Sequence, residues 1–229
     1  ETTYIDKGII QIGGRKIYNY DQRTWNLRSM TEVLEYSINT GAVFAERQLG
    51  HDNFLRYIKN FGIFEPTNID LAGEVFSENK EFQKGYEINF ATAAFGQGIE
   101  MTPLQLVRAF FAIANNGIRS EPFLVEEAGE RKHSEPVISS QTSSQLTAML
   151  VSVVENGYAK RAKIPGYHIA GKTGTAQVSW SALGVSKSGY SDKTIHTFVG
   201  YAPAFDPKFL ILVKLDNPKT KTAEYSALP

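Results

Sequence analysis

The sequence predicts a mixed α/β chain, with helices through its middle and strands at both ends. Three observations predict it. Two cap signatures, Ser29 with Glu32 and Thr102 with Gln105, each open a run of apolar residues at helical spacing. Short branched runs flank Gly13-Gly14 near the start, and the nearly continuous F-L-I-L-V-K-L of residues 209–215 lies near the end. The 229 residues are 42% hydrophobic and 21% charged, an ordinary globular balance for one large domain or two small ones.

In chain order, Ile9, Ile10 and Ile12 before Gly13-Gly14, with Ile17 and Tyr18 after, predict a hairpin. A polar turn follows over 21–26. Ser29 caps a helix whose apolar face is Met30, Val33 and Leu34. Ser37 and Asn39 interrupt it, because short polar side chains bond their own backbone. A second helix is expected from Thr40 or Gly41 to Gly50, with Val43, Phe44 and Leu49 inward, and a third from Asp52 as N-cap to Gly62. Residues 63–90 are turn-rich and predict a surface excursion with short strands at most. Thr102, Pro103 and Gln105 start a helix that buries Leu106, Phe110 and Ile113 and stops at Gly117. Residues 118–138, with a charged turn from Glu126 to Glu135, predict an exposed hairpin. A helix over 141–155 turns Leu146, Met149, Leu150 and Val153 inward. Tyr167 and Ile169 alternate with His168 and Ala170, which predicts a strand running into Lys172. A Ser- and Gly-rich loop over 178–193 precedes two strands, 196–201 and 209–215, joined by a turn at Ala204–Pro207. The second is apolar enough to be covered on both faces.

Composition excludes several functions. Net charge is +0 and the pI about 7.2, so nothing favours nucleic acid or an acidic membrane surface. The absence of cysteine removes disulfides, thiolate metal sites and a cysteine nucleophile. His51, His133, His168 and His196 have no ligand spacing, so no metal or other cofactor is expected. No apolar run reaches the length of a membrane span.

The stretch that carries chemistry is A-G-K-T-G-T-A-Q-V, residues 170–178. Lys172 is a fixed cation. Thr173 and Thr175, two apart on a strand, share one face, and Gly174 between them admits a close approach. A cation with two aligned hydroxyls suits a small anion, above all a carboxylate. The same residues also fit the phosphate-loop pattern G-x-x-x-x-G-K-[ST] from Gly166 to Thr173, with Asp216 as a metal-binding acid. That pattern requires a strand before and a helix after it. Here Pro165 precedes it and T-G-T-A-Q-V, a poor helix start, follows. An ordinary hairpin strand with an incidental lysine is the plainest alternative. Ser37-x-Asn39, on the connection between two helices, is a second candidate site element, or simply an N-cap region. Ser77-Glu-Asn-Lys80 has the spacing of an acylating serine motif, but its neighbours Glu78, Asn79 and Glu81 are polar where a buried helix start is needed.

Taken together, S-I-N-T, K-T-G-T-A-Q, I-G-G-R-K-I-Y-N, F-G-Q-G-I-E-M-T-P-L-Q-L, H-T-F-V-G-Y-A-P and S-A-L-P make the chain resemble the transpeptidase domain of class B penicillin-binding proteins. The resemblance covers essentially all 229 residues. It implies an α+β fold, a central antiparallel sheet flanked by helices as in penicillin-binding proteins and serine β-lactamases, with the cleft between lobes. The helical lobe is expected roughly over 24–157, and the sheet lobe over 1–23 and 164–229. It implies a D,D-transpeptidase that cross-links peptidoglycan through an acyl-enzyme, with stem peptides and β-lactams as ligands. The parent would be membrane-anchored, extracytoplasmic and associated with cell-wall synthesis partners in elongation or division. Ser37 would relay protons, Asn39 hold the substrate amide and Lys172 set the field of the cleft. Thr173, Gly174 and Thr175 would bind the carboxylate, with the Thr175 N–H as half of the oxyanion hole. The family's S-x-x-K serine should precede Ser37, and residues 1–36 contain none. The chain is therefore expected to begin downstream of its nucleophile and to stop before a final strand and helix, leaving one face of the 209–215 strand exposed. A nucleophile-less β-lactam-sensing module is the alternative of another class.

Overall fold

The computed structural model describes residues 2–125 and 134–219. Four short strands open the chain: β1 (Thr3–Asp6), β2 (Ile9–Ile12), β3 (Arg15–Tyr18) and β4 (Asn26–Ser29). β2 and β3 form the expected hairpin, and β1 pairs with β4, so the polar turn over 21–26 ends in a strand. Neither pair joins the main sheet. Residues 1–23 were expected with the sheet lobe. Instead Ile12 and Ile17 bury against Val43 and Ala91 of two helices, because two-stranded ribbons bury their apolar side only on another element.

The helices follow: α1 (Met30–Glu35), α2 (Asn39–Leu49), α3 (His51–Asn60), α4 (Glu87–Ala93), α5 (Pro103–Ala114) and α6 (Ser140–Asn156). Ser29 and Thr102 both form complete capping boxes, and Ser139 caps α6. Each such cap contributes about 1 kcal/mol. Between α1 and α2 the chain turns tightly, and Gly41 permits it: a Cβ there would lie 2.6 Å from Val33 Cγ2. Asp52 is not the N-cap of α3. Gly50, at φ 84°, ends α2 and begins α3, since the left-handed turn requires a residue without Cβ. Leu49, expected inward, is exposed.

Residues 63–90 differ most from expectation. Phe82 and Phe90 are buried with Ala93 against Phe54, Leu55, Ile58 and Phe64. Three scattered phenylalanines make no period, so the cluster shows only once the chain has folded. Gln105 and Arg108 of α5 anchor the start of this segment. Gln105 Nε2 donates to the Ile63 and Glu65 carbonyls, and Arg108 to those of Gly62 and Pro66. The exposed hairpin is present as β5 (Ile118–Ser120) with β6 (Ser134–Pro136), while residues 126–133 of its charged turn lie outside the described residues.

The main sheet is antiparallel, in the order β7 (Ala170–Ser179), β8 (Tyr190–Ala202), β9 (Phe209–Asp216). Ala170, Tyr201 and Leu210 lie opposite one another in register and pack on Leu150 of α6 and on Phe110 and Ile113 of α5. Thr147 and Tyr201 share a hydroxyl–hydroxyl bond of 2.7 Å at this contact. The other face carries Thr173, Thr175, His196, Phe198 and Ile211 by the same register. On it Phe209 and Ile211 are 55% and 50% exposed, so among the described residues the first half of β9 is open on that side. S-A-L-P, residues 226–229, lies outside the described residues.

Candidate active site

Lys172 sits third in β7, at the edge of the sheet among the described residues. Its Nζ donates to Ser37 Oγ at 3.0 Å and to the Thr173 carbonyl at 2.9 Å. The two motifs, 135 residues apart, therefore meet directly. Burial pushes the Lys172 ammonium down to about 8. A lysine there can give up and regain its proton near neutral pH, which an exposed one cannot.

Ser37 occupies the tight α1–α2 connection with φ 50°, the left-handed region that costs a residue with a Cβ about 1–2 kcal/mol. The turn is held from both sides. The Ser37 and Ile38 N–H groups donate to the Leu34 and Val33 carbonyls, and Ile38 is buried. On the far side Asn39 Nδ2 donates to the Tyr18 carbonyl at 3.0 Å. The bond found for Asn39 is thus to β3, and it is Ser37 that meets Lys172.

Thr40 leads to a residue that the sequence did not flag. Asp6 at the end of β1 is buried, and its carboxylate accepts four bonds: Thr40 Oγ1 at 2.6 Å, Gly8 N–H at 2.8 Å, Asn19 Nδ2 at 2.8 Å and Trp25 N–H at 2.7 Å. Asn19 Oδ1 in turn accepts the Thr40 N–H at 3.1 Å. Burial alone would raise the Asp6 pKa. The bonds from Thr40, Gly8, Trp25 and Asn19 more than offset it and hold the carboxyl below its ordinary value. A lone aspartate between Ile5 and Lys7 has no sequence pattern, which is why this network was invisible.

Thr173 and Thr175 face the same side, as the alternation predicts, opposite Phe198 and His196. Gly174 faces the other side. The space beside it belongs to the neighbouring strand, since a Cβ would lie 2.5 Å from Thr197 Oγ1. From this stretch of β7 a groove of about 1140 Å³ extends between residues 174–179 and the segments 76–82 and 95–103. Ser77 and Lys80 line its far wall but are not partnered: Ser77 Oγ donates to Glu100 at 2.9 Å, and Lys80 pairs with Glu78 at 3.2 Å. Ser77 is thus bonded to a carboxylate rather than to Lys80, the partner that an S-x-x-K motif requires. Lys172 also fails the phosphate-loop geometry, because the chain continues from it as β7 with no helix start, and Asp216 is bonded by Lys214.

Helices packed on an antiparallel sheet, with an S-x-N turn hydrogen-bonded to the lysine of an edge strand, make up the penicillin-binding and β-lactamase-like fold. The comparisons agree. The penicillin binding protein transpeptidase domain family matches residues 1–228, and the chain belongs to that family. Stage V sporulation protein D of Bacillus subtilis is 35% identical over 228 residues, covering 94% of this chain and 34% of the relative. The peptidoglycan D,D-transpeptidase FtsI of Escherichia coli is 30% identical over 211 residues, covering 91% of this chain and 34% of the relative. The crystal structure of penicillin binding protein 3 from Mycobacterium tuberculosis, complexed with aztreonam, superposes with a TM-score of 0.85 at 28% identity, over 100% of this chain and 53% of that one. The chain thus spans about a third of the length of these curated relatives and about half of the solved one.

Proposed function

We propose that this chain supplies two walls of the site of a peptidoglycan D,D-transpeptidase acting outside the cytoplasm. The observation that carries the reading is the 3.0 Å bond between Lys172 Nζ and Ser37 Oγ. In this reading a serine hydroxyl attacks the carbonyl of the D-Ala-D-Ala bond. Its proton passes through Ser37 to the departing D-alanine amine, and the acyl-enzyme is then resolved by an amine acceptor. Lys172 holds Ser37 and provides positive potential for the substrate carboxylate, which Thr173 and Thr175 bind by their hydroxyls. The Thr175 N–H stabilises the oxyanion, and the extended peptide lies along the edge of β7. Asn39 holds the substrate amide after exchanging its bond to Tyr18. Gly174 serves by letting β7 and β8 close up. The attacking serine is not Ser77, whose hydroxyl is turned to Glu100.

Two expected results test this. The 229-residue chain exposed to a fluorescent penicillin stays unlabelled, while the parent protein carrying an upstream S-x-x-K serine is labelled to about one equivalent. Labelling of the short chain at Ser37 or Ser77 would overturn the assignment. Second, affinity of the parent site for a carboxylate-bearing β-lactam, read as the binding term of acylation, falls as pH rises through about 8, where Lys172 loses its charge. A binding term flat up to pH about 10 would remove Lys172 from carboxylate recognition.

A further inference from the structure

His196 is buried to 5% exposure beneath the exposed Thr175, its direct partner across β7 and β8. Nothing in the reaction above uses it. Its Nε2 lies 2.9 Å from Thr194 Oγ1, two residues back on the same strand, and its Nδ1 lies 3.5 Å from Thr175 Oγ1. The ring is thus a bridge between two hydroxyls, one on its own strand and one at the candidate site.

A hydroxyl has one hydrogen to give, and a neutral imidazole has one N–H and one acceptor nitrogen. The bridge can therefore be polarised in two ways. If Nε2 carries the hydrogen, Nδ1 is an acceptor. Thr175 must then spend its hydrogen on the ring and presents only lone pairs outward, which repel an anion. If Thr194 donates to Nε2, the hydrogen sits on Nδ1 and is given to Thr175 Oγ1. The Thr175 hydroxyl hydrogen is then free to point outward and donate to a carboxylate. The state of a buried ring decides whether the exposed hydroxyl is a donor or an acceptor.

We propose that His196 is a positioning residue that, as its Nδ1–H tautomer fixed by Thr194, holds the Thr175 hydroxyl as a donor to the substrate carboxylate. It thereby tunes the site toward anionic rather than carboxyl-blocked ligands. This rests on the reading of Thr175 given above, and the experiment separates the two. Long-range 1H–15N correlation on the 229-residue chain, at a pH where the imidazole is neutral and with His196 assigned by His196→Asn, is expected to place the hydrogen on Nδ1; a hydrogen on Nε2 overturns the proposal. In the parent protein, His196→Leu is expected to reduce the second-order rate of acylation by ampicillin about tenfold, the loss of one hydrogen bond to a charged group. The loss falls in the binding term and is nearly absent with ampicillin methyl ester. His196→Asn, whose amide retains a donor near the Nδ1 position, is expected to recover most of it. Thr175→Val is expected to cost about as much as His196→Leu, and the double variant no more than either. If Thr175→Val has no effect, the carboxylate role of Thr175 fails. If Thr175→Val is costly but the two losses multiply, Thr175 stands and the role of His196 fails. Should His196→Leu not fold, the tautomer measurement on the unaltered chain still decides.

Discussion

Lys172→Met in the parent protein is expected to slow acylation by ampicillin about 100- to 1,000-fold, the range for removing one preorganised electrostatic partner from an acyl-transfer site. Methionine keeps the length and apolar stem of lysine, so the loss reports the ammonium and not a cavity. Lys172→Arg is not expected to rescue, because a planar fork cannot take the place of a compact cation held between Ser37 Oγ and the Thr173 carbonyl. Folding stability should move the other way. The unfolded chain keeps the lysine proton up to about 10.4, whereas the folded chain releases it near 8. Between those values the unfolded state binds more protons, so unfolding free energy rises with pH there. Denaturant midpoints taken from pH about 8 to about 10 should show that rise in the unaltered chain and lack it in Lys172→Met. An acylation rate within threefold of the parent's would remove Lys172 from the reaction.

The helices with chemical start signals were legible: Ser29 and Thr102 announce α1 and α5 because a cap is a local event among four residues. The sheet was legible because β7, β8 and β9 follow one another, so neighbours in sequence are neighbours in space. Ser37 and Lys172 could be named from motif spacing, and their contact followed from the fold. What stayed hidden depends on distant partners. Phe82 reads as part of a polar loop until Phe64 and Phe90 surround it. Gly174 reads as room for a ligand until Thr197 of the next strand fills that room. Asp6 and His196 are single polar residues whose meaning lies wholly in the partners that folding brings around them.

Asp6→Ala is expected to be the most destabilising single change among the four short strands β1–β4, at about 4 kcal/mol. Four donors converge on this one carboxylate, and each buried donor left unmatched costs about 1–3 kcal/mol, reduced where water enters the space. Asp6→Asn keeps the shape and one acceptor oxygen but turns an NH2 group toward donors, so roughly half that loss is expected. The pH dependence identifies the cause. The folded carboxyl titrates below its unfolded value of about 3.9, so its contribution is complete above that pH and disappears as pH falls through the folded value. Unaltered protein should therefore lose stability more steeply in acid than Asp6→Asn does. The effect should also reach the site. Asp6 and Asn19 together fix Thr40 at the first turn of α2, directly after the strained turn that carries Ser37. With that anchor gone the left-handed conformation of Ser37 has less to enforce it, and acylation of the parent protein should fall even at temperatures where Asp6→Asn remains folded. Equal denaturant midpoints for Asp6→Ala and the unaltered chain would show that Thr40, Asn19 and Trp25 find other partners and that the S-x-N turn is held by Ile38 and α1 alone.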